Sequence, residues 1–417
     1  MFIIISGGIL IKRAIKKTGD EFFPLGFGAM RLPTKNGSVD KEKAKEILYY
    51  AIDNGVNFID TGYNYHNGES ESFLGEVLSG EYRQKVKIST KLPAWSVRKR
   101  EDMDNILVQQ LNNLKTNIDY YFLHNISLNV IQRLIKKDVF SFLEDAKSSG
   151  KIKHIGFSYH GSKDEFEEVL DLYDWDMCMV QYNYLDDNVQ ASYEGIKKAH
   201  SKGMGVFVME PLKGGILAGH MPDKVEGVFN KSNPNKTTAE WALSWLLNHE
   251  EITCILSGMG NLDEVKENLE ISTNVRANSL TQNELETIND VKDIMSEMLE
   301  INCATCGYCM PCPNGVNIPE CFKIYNEKYL FNQKRGPFSQ SLFNYYMILG
   351  GIVNQSSHGG LCNGCGKCLR KCPQFLDIPN ELNKVSKEFE GIGFKYKTWF
   401  IRKIGLPLMD WMSKRNH

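Results

Sequence analysis

The stretch Asn57–Glu71, NFIDTGYNYHNGESE, places an acid at the end of an apolar run and a phenol soon after it. The run predicts a buried strand that ends at Asp60, and a helix is predicted to begin at Ser70. Tyr65 lies on the loop between them. In an α/β barrel, the loops that leave the strand ends surround one mouth, where the chemistry is built. The stretch therefore predicts a reactive site at the carboxyl end of a strand.

Short apolar segments alternate with helical patterns from residue 20 to about residue 271, which predicts an α/β fold. The predicted strands are Leu25–Met30, Asn57–Thr61, Val86–Leu92, Ile118–Asn125, Ile152–Tyr159, Met177–Leu185, Met204–Leu212 and Ile252–Met259. The predicted helices are Lys41–Asp53, Ser70–Leu78, Glu101–Leu114, Asp138–Ser148, Asp164–Leu172, Val189–Lys202, Thr238–His249 and Leu262–Ile271. Eight strands, each followed by a helix, predict a (β/α)8 TIM barrel. The alternative is an open doubly wound sheet, but LGFGAM in the first strand lacks the G-x-G-x-x-G fingerprint typical of that fold.

The cysteines divide the chain, since only two of the eleven precede residue 300. We expect a barrel domain at residues 11–300, a cysteine-rich domain at 301–385 and a C-terminal tail at 386–417. A hairpin at the start of the barrel domain, Ile11–Lys17 with Glu21–Pro24, is expected to close the barrel floor. The tail is basic and amphipathic from Lys395. It is interpreted either as a helix packed on the second domain or as a contact with a membrane surface or a partner.

The composition limits the classes of partner. A chain of 417 residues is too long for one typical core, which agrees with two domains. A net charge of −2 argues against a nucleic-acid-binding protein. No apolar run approaches the ~20 residues that span a bilayer, so an integral membrane protein is not expected. The charges of Lys12 and Arg13 follow the N-terminal apolar run, the reverse of a secretory signal, so we expect a cytoplasmic protein.

Two further ionisable residues lie at predicted strand ends, Lys91 in VKISTKLP and His124 in YYFLHN. With Asp60 and Tyr65 they are expected to converge at one barrel mouth. A buried lysine beside a tyrosine favours the phenolate and lowers the pKa of the phenol, while an aspartate keeps the lysine charged. The set would then be a tunable proton donor beside a carbonyl oxygen. Each residue taken singly is better explained as part of a buried salt bridge or as a core histidine, whereas all four at strand ends favour a reactive site.

These four residues resemble the Asp, Tyr, Lys and His tetrad of the aldo/keto reductase family, and residues 65–71 resemble the stretch that follows the family's tyrosine. The resemblance covers roughly residues 11 to 300. It implies a barrel that binds a nicotinamide cofactor across its mouth, with hydride passing to a carbonyl and Tyr65 as the general acid. By the same resemblance, the cofactor would be bound by Gly28, Met30, Asp60, Ser158, Gln181, Met209, Leu212, Gly214, Glu267 and Asn268. Ser158 and Gln181 would contact the carboxamide, and Glu267 and Asn268 the adenine.

The choice between NADP and NAD stays open. Many members carry basic residues near the adenosine phosphate, and the matching positions here are Gly258 and Glu264. An acid in the first turn of a helix repels a 2′-phosphate, which weakens the case for NADP. Lys213 or Lys266 would be the compensating cation. Met209 falls where many members stack an aromatic ring on the nicotinamide.

The cysteine spacing is the most specific signal in the chain. The second run, Cys362-x2-Cys365-x2-Cys368-x3-Cys372-Pro373, has the spacing of bacterial ferredoxins, which hold 4Fe–4S clusters. The first run, Cys303-x2-Cys306-x2-Cys309-x2-Cys312-Pro313, is one residue tighter. Structural zinc sites and disulfides are the alternatives.

The two runs resemble two-cluster ferredoxins, in which the fourth cysteine of each run ligates the other cluster. The resemblance implies a mostly helical ferredoxin-like domain with two 4Fe–4S clusters. One would be held by Cys303, Cys306, Cys309 and Cys372, and the other by Cys362, Cys365, Cys368 and Cys312. Cys321 is interpreted as a core residue or as a swapped ligand.

These patterns predict an oxidoreductase that acts on a small carbonyl or alcohol and exchanges electrons with a one-electron carrier protein. A nicotinamide moves two electrons and a cluster moves one, so a flavin is the converter that would join them. The alternative function is an electron-transfer or redox-sensing protein whose barrel binds a nucleotide or flavin without reducing a carbonyl.

Overall fold

A computed structural model describes residues 11–331, 339–352 and 355–405, together with the backbone of Ile4–Ile5 and Gly8–Ile9. The described chain forms two compact units. The first contains the chain up to Gly219 and Asn235–Ile288, and the second contains His220–Pro234 and the chain from Asn289 onward. Residues 406–417 of the predicted tail lie outside the described residues.

Eight parallel strands close into a barrel in the first unit, which confirms the predicted fold. The barrel strands are β1 Leu25–Gly28, β2 Phe58–Asp60, β3 Lys87–Pro93, β4 Ile118–Ile126, β5 Ile152–Tyr159, β6 Met177–Gln181, β7 Gly205–Met209 and β8 Cys254–Ser257. Each strand pairs with its neighbours in the sequence, and β8 pairs with β1. The register aligns Gly28 with Asp60 and Gln181 with Met209, so these residues share one end of the barrel.

The helices follow the strands, as a parallel barrel requires. Those of the described residues are α1 Lys41–Asp53, α2 Glu69–Val77, α3 Glu81–Lys85, α4 Arg100–Leu114, α5 Leu128–Ile135, α6 Val139–Ser148, α7 Phe166–Asp171, α8 Ser192–Ser201, α9 Asp223–Ser232, α10 Thr238–Leu247, α11 Leu262–Asn274, α12 Gln282–Met298, α13 Ile318–Leu330, α14 Gln340–Asn344, α15 Ile378–Phe389 and α16 Phe394–Phe400. Between α1 and α11, three helices, α3, α5 and α9, are additions to the predicted set. None of the helices in the described residues is long and apolar enough to cross a membrane.

A short antiparallel hairpin, Arg13–Ala14 with Glu21–Phe22, precedes the barrel. The ring of Phe22 is fully buried. It lies 5.5 Å from the rings of Phe58 and Tyr120 and 5.3 Å from that of Phe207, in edge-to-face contacts. These rings come from β2, β4 and β7, so the hairpin fills the barrel at the end opposite the strands' carboxyl termini. Burying one such side chain stabilises the fold by about 2–3 kcal/mol.

The second unit is built on two helices that start in the same way. Asn317 and Asp377 cap α13 and α15 by accepting backbone N–H groups through their side chains, and each helix has proline in its first turn. Proline is favoured at this position because its fixed backbone angle suits the first turn and its missing N–H group would have no partner within the helix. Their apolar faces share a core with Tyr345, whose ring stacks on that of Phe389 of α15 with centroids 4.6 Å apart.

Candidate functional site

A buried ion pair lies at the carboxyl ends of β2 and β3. The ammonium Nζ of Lys91 is 2.7 Å from each carboxylate oxygen of Asp60 and donates to the carbonyl of Thr61 at 2.6 Å. Ser89 donates its hydroxyl to the same carboxylate at 2.7 Å. The Lys91 and Asp60 side chains are only 1% and 5% exposed. Burial lowers the pKa of Lys91, and the adjacent carboxylate opposes that shift.

The loop after β2 brings the phenol of Tyr65 to this pair. Its hydroxyl lies 3.2 Å from Nζ of Lys91, and the ammonium lies 4.8 Å from the centre of the ring. The chain turns back directly after Tyr65 because His66 and Asn67 both adopt left-handed backbone conformations, with φ of 51° and 55°. A Cβ atom at Gly62 would lie 3.1 Å from the Tyr65 ring, so the ring packs closely on the glycine backbone.

The imidazole of His124 completes the group from β4. It is 1% exposed, and its ring centre lies 6.3 Å from that of Tyr65. Burial holds the pKa of His124 well below its ordinary value, and the charge of Lys91 adds to this effect. The ring is therefore neutral at pH 7 and suited to hydrogen bonding with an uncharged oxygen. Trp95, whose ring centre is 5.0 Å from His124, is 47% exposed on the loop after β3.

The structure thus brings the four sequence-predicted residues together at one end of the barrel. A phenol backed by a buried ammonium can release a proton, because the ammonium stabilises the phenolate that remains. A neutral imidazole nearby can hold the oxygen that receives that proton. The arrangement is suited to general acid chemistry at an oxygen atom.

Three of the predicted cofactor residues lie at the ends of the next strands. Ser158 is buried at the end of β5 and accepts the backbone N–H of Asn125 at 2.9 Å. Gln181 ends β6 and is 1% exposed, and Met209 ends β7 beside it. Gly28 and Met30 follow β1, where a Cβ at Gly28 would contact the Ser257 carbonyl at 3.4 Å. The ends of the strands therefore form a continuous rim from β1 through β7.

The remaining predicted cofactor residues lie on the loop after β7 and on α11. Leu212 and Gly214 lie in a short turn in which Gly214 has a φ of 67°. On α11, Asn268 is buried and donates to the Ser257 hydroxyl at 2.9 Å, while Glu267 accepts from Thr237 at 2.7 Å. Glu264 lies in the first turn of α11 and accepts the backbone N–H of Gly260 at 2.8 Å. The side chain of Arg31 packs against Gly258, where a Cβ would approach it to 3.0 Å.

A buried polar chain that the sequence did not predict extends from the site along the rim. Gln190 donates its amide to Gln181 at 3.0 Å, and Gln181 donates in turn to Asp186 at 2.9 Å. Asp186 forms a 2.5 Å ion pair with Lys213, both almost fully buried. Burial raises the pKa of Asp186, but Lys213 and the amides outweigh it, so the pKa is lowered overall. Lys213, one of the two candidate phosphate contacts, is thus already paired.

His160 extends this polar chain and lies within electrostatic range of Lys91 and His124. It is buried directly after β5 and hydrogen-bonds Gln190, and burial lowers its pKa to about 4. The charge of Lys91 contributes to the same shift. The signal that sequence reasoning can use for His160 is its place at the carboxyl end of a strand, which is also the signal that marks Lys91 and His124.

A second buried carboxylate, Glu71, lies behind Lys91. It is 1% exposed and accepts from the Thr90 hydroxyl at 2.6 Å and from the Gln110 amide at 2.7 Å. Gln110 also donates to the backbone carbonyl of Lys91 at 3.0 Å. These bonds fix the backbone of β3 on the side away from Asp60.

In the second unit, four cysteines line one pocket, namely Cys303, Cys306, Cys309 and Cys372. Its other walls are apolar, and Ile318, Phe322 and Leu376 are among them. The backbone N–H of Thr305 points at the Cys303 sulfur at 3.4 Å, and burial raises the pKa of Cys309 to about 12. These four are the residues that the resemblance assigns to one cluster, including the fourth cysteine from the other run.

The other four cysteines form a second neighbourhood. Burial raises the pKa of Cys368, and the proximity of Cys362, Cys312 and Cys365 raises it further. The sulfur-rich pocket of the first group, with its apolar walls and an N–H group aimed at sulfur, fits an iron–sulfur cluster. Across the described ranges, no three His, Cys, Asp or Glu side chains are close enough to hold a single metal ion. Cys321 is fully buried in the core of this unit, as the first of its two interpretations expects.

Comparison with known families gives two matches. Residues 24–293 match the model of the aldo/keto reductase family. Residues 302–376 match the model of the 4Fe–4S dicluster domain, a range that contains all eight cysteines of the two runs.

Individual relatives match the first of these regions. The chain is 27% identical over 308 residues to L-galactose dehydrogenase of Arabidopsis thaliana, covering 68% of this chain and 93% of that one. It is 27% identical over 280 residues to the NADH-specific methylglyoxal reductase of Escherichia coli K12, covering 57% of this chain and 85% of that one.

Two solved structures share the fold. An aldo-keto reductase from Bacillus halodurans in its holo form has a TM-score of 0.57 at 24% identity, covering 68% of this chain and 96% of that one. An aldo-keto reductase from Klebsiella pneumoniae in complex with NADPH has a TM-score of 0.56 at 19% identity, covering 68% of this chain and 95% of that one.

Proposed function

Because the chain belongs to the aldo/keto reductase family, we propose that it interconverts a small carbonyl compound and its alcohol with a nicotinamide dinucleotide as the hydride carrier. The single observation that carries the proposal is the Tyr65 hydroxyl, held 3.2 Å from a buried ammonium. Tyr65 is the proton donor to the carbonyl oxygen in the direction of reduction. In the direction of oxidation, the same phenol accepts the proton.

The other site residues support this role of Tyr65. Lys91 stabilises the phenolate that remains after proton transfer, and Asp60 keeps Lys91 in place. His124, neutral because burial depresses its pKa, hydrogen-bonds the carbonyl oxygen and orients it toward Tyr65. The exposed face of Trp95, whose ring lies beside His124, is the proposed contact of the substrate. General acid catalysis of this kind contributes about 10²–10⁴-fold to the rate.

The rim of the barrel is the proposed binding site of a nicotinamide dinucleotide, which when bound would supply the hydride. Ser158, Gln181 and Met209 are the proposed contacts of the nicotinamide end. Leu212 and Gly214 line the path of the pyrophosphate, and Asn268 with Glu267 contacts the adenine. Glu264 in the first turn of α11 favours NADH over NADPH, because its charge opposes a 2′-phosphate.

The second unit is proposed to hold two 4Fe–4S clusters, in the two ligand sets described above. Clusters supply one-electron transfer, and the proposed partner is a one-electron carrier protein. Electron transfer between a two-electron nicotinamide and a one-electron cluster requires a group that does both, and a flavin has that chemistry. The thiols suit a reducing compartment, so the proposed location is the cytoplasm.

A second candidate function is electron transfer or redox sensing without carbonyl reduction, favoured by the eight clustered cysteines. One experiment separates the two. The protein is purified anaerobically, analysed for iron, sulfide, flavin and nucleotide, and incubated with deuterated NADH or NADPH and a set of small aldehydes, methylglyoxal among them. Deuterium on the carbon that bears the new hydroxyl group of the alcohol product supports the first function. Full cluster content without transfer of deuterium to any carbonyl would overturn it and support the second.

A further inference from the structure

The last described helix, α16, has one face buried in the second unit. Phe394 and Thr398 are 5% and 7% exposed. The Phe394 ring lies 4.9 Å from that of Tyr346 in an edge-to-face contact, and Thr398 packs against Gly350, where a Cβ would lie 2.8 Å from its methyl group. This face fixes the orientation of the helix on the unit.

The opposite face of α16, together with Ile392 before it and Ile404 in the π-helical segment after it, presents large apolar side chains to solvent. We refer to this set as the outer face of α16, and it consists of Ile392, Tyr396, Trp399, Phe400 and Ile404. Their exposed fractions run from 44% to 101%. Within α16, Trp399 and Phe400 follow Tyr396 by three and four residues, so these three share one helical face. A contiguous exposed apolar set of this kind marks an interaction surface.

Basic residues flank the outer face of α16, namely Lys395, Lys397, Arg402 and Lys403, all exposed. Residues 391–405 contain no Asp or Glu. The surface therefore combines aromatic and aliphatic groups with an unbalanced positive charge, whereas the whole chain has a net charge of −2. Its partner must be apolar and carry negative charge.

We propose that the outer face of α16 binds the surface of an anionic lipid membrane. Tyr and Trp are the residues that favour the interface between water and hydrocarbon, and lysine and arginine bind anionic headgroups. A protein partner fits less well, because lysine is depleted in the buried parts of protein interfaces. The helix lies in the plane of the membrane, with its buried face still bound to the second unit. This binding is independent of the reaction in the barrel.

Sedimentation with lipid vesicles tests the proposal on the full-length protein, purified anaerobically. The vesicles are made of phosphatidylcholine with phosphatidylglycerol, or of phosphatidylcholine alone. The protein is expected to bind the anionic vesicles, and added salt is expected to weaken the binding. The double variant Lys397→Gln with Arg402→Gln should bind about 25-fold more weakly, since each basic residue near the surface contributes about fivefold. Its control is Lys43→Gln with Lys45→Gln, two exposed lysines of α1.

A second variant tests the apolar part. Trp399→Ser with Phe400→Ser should weaken binding to anionic vesicles about tenfold or more. Val108→Ser, which removes a 48% exposed apolar side chain from α4, should leave it unchanged. Retained iron content and circular dichroism establish that each variant is folded.

Three results would overturn the proposal. The first is no binding of the wild-type protein to anionic vesicles. The second is equal binding by both variants and their controls. The third is a dimer, detected by light scattering, that the Trp399 variant abolishes while vesicle binding stays intact, because the outer face would then bind a second copy of the chain.

Discussion

The ammonium of Lys91 lies 3.2 Å from the hydroxyl of Tyr65, although the two residues come from β3 and from the loop after β2. The distance is that of a hydrogen bond between a buried cation and a phenol. Since both side chains are at least nine-tenths buried, solvent screens the interaction only weakly. The acidity of the phenol therefore depends on the lysine.

Tyr65→Phe removes the proposed proton donor without removing the ring. We expect carbonyl reduction to fall about 10²–10⁴-fold. Binding of the nucleotide, followed by quenching of tryptophan fluorescence, should change little. Tyr63→Phe is the matched control, because its hydroxyl bonds Gln109 rather than the tetrad. Unchanged turnover in the Tyr65 variant would show that another group supplies the proton.

Lys91→Met leaves the Asp60 carboxylate buried without its cation. We expect the free energy of unfolding to fall by about 3–5 kcal/mol, because an unpaired charge remains in the interior. Adding Asp60→Asn should recover part of this loss. The control is Lys41→Met, which breaks an exposed ion pair with Glu76 and should cost less than about 1 kcal/mol. Denaturant unfolding measures all four proteins, and equal losses for the two lysine variants would contradict the expectation.

The swapped arrangement of the cysteines predicts which substitutions act on the same cluster. Cys309→Ala and Cys372→Ala should each remove the same electron paramagnetic resonance signal, although they belong to different runs. Cys312→Ala and Cys365→Ala should remove the other. Each should reduce the iron content by about half. Cys321→Ala should leave the iron content intact, and a loss of iron in that variant would make Cys321 a ligand.

His160 predicts a dependence of stability on pH. Its pKa is about 4 in the folded protein and about 6.5 when unfolded, so the unfolded state binds the extra proton between these values. The contribution of His160 is fully present above pH ~6.5 and decreases by up to about 3 kcal/mol as the pH falls toward 4. His160→Gln should flatten this part of the curve, whereas His200→Gln, on an exposed side chain, should not. Parallel curves for the wild type and both variants would contradict the assignment.

Glu264 predicts the preference between the two nicotinamide cofactors. Glu264→Gln removes a charge from the N-terminus of α11 and should raise the affinity for NADPH about 2- to 5-fold, with little change for NADH. Glu270→Gln, farther along the same helix and exposed, is the control. Fluorescence titration with each nucleotide measures the difference. A fall in the affinity for NADPH would mean that the 2′-phosphate does not approach α11.

The barrel could be predicted from the sequence because its strands are short apolar runs with polar ends, and the predicted bounds of Ile152–Tyr159 match the observed strand to the residue. Strand ends also locate Asp60, Lys91 and His124. The start of α8 could not be predicted, since Gln190 and Ser192 adopt left-handed conformations that delay the helix. That same turn directs Gln190 inward to Gln181. Contacts of this kind form only when the barrel closes, so no periodic pattern in the sequence predicts them.

The segment His220–Pro234 leaves the barrel sequence between β7 and α10 and yet belongs to the second unit, where the ring of His220 stacks on that of Phe331 at 5.2 Å. The unit that contains the 4Fe–4S domain is therefore not formed by the C-terminal part of the chain alone. A truncated chain that stops after α12 would leave His220–Pro234 without its contacts in the second unit. The chain from Asn289 onward, joined to another protein, would in turn lack His220–Pro234. A second unit with all of its parts therefore requires chain from both sides of α10 and α11.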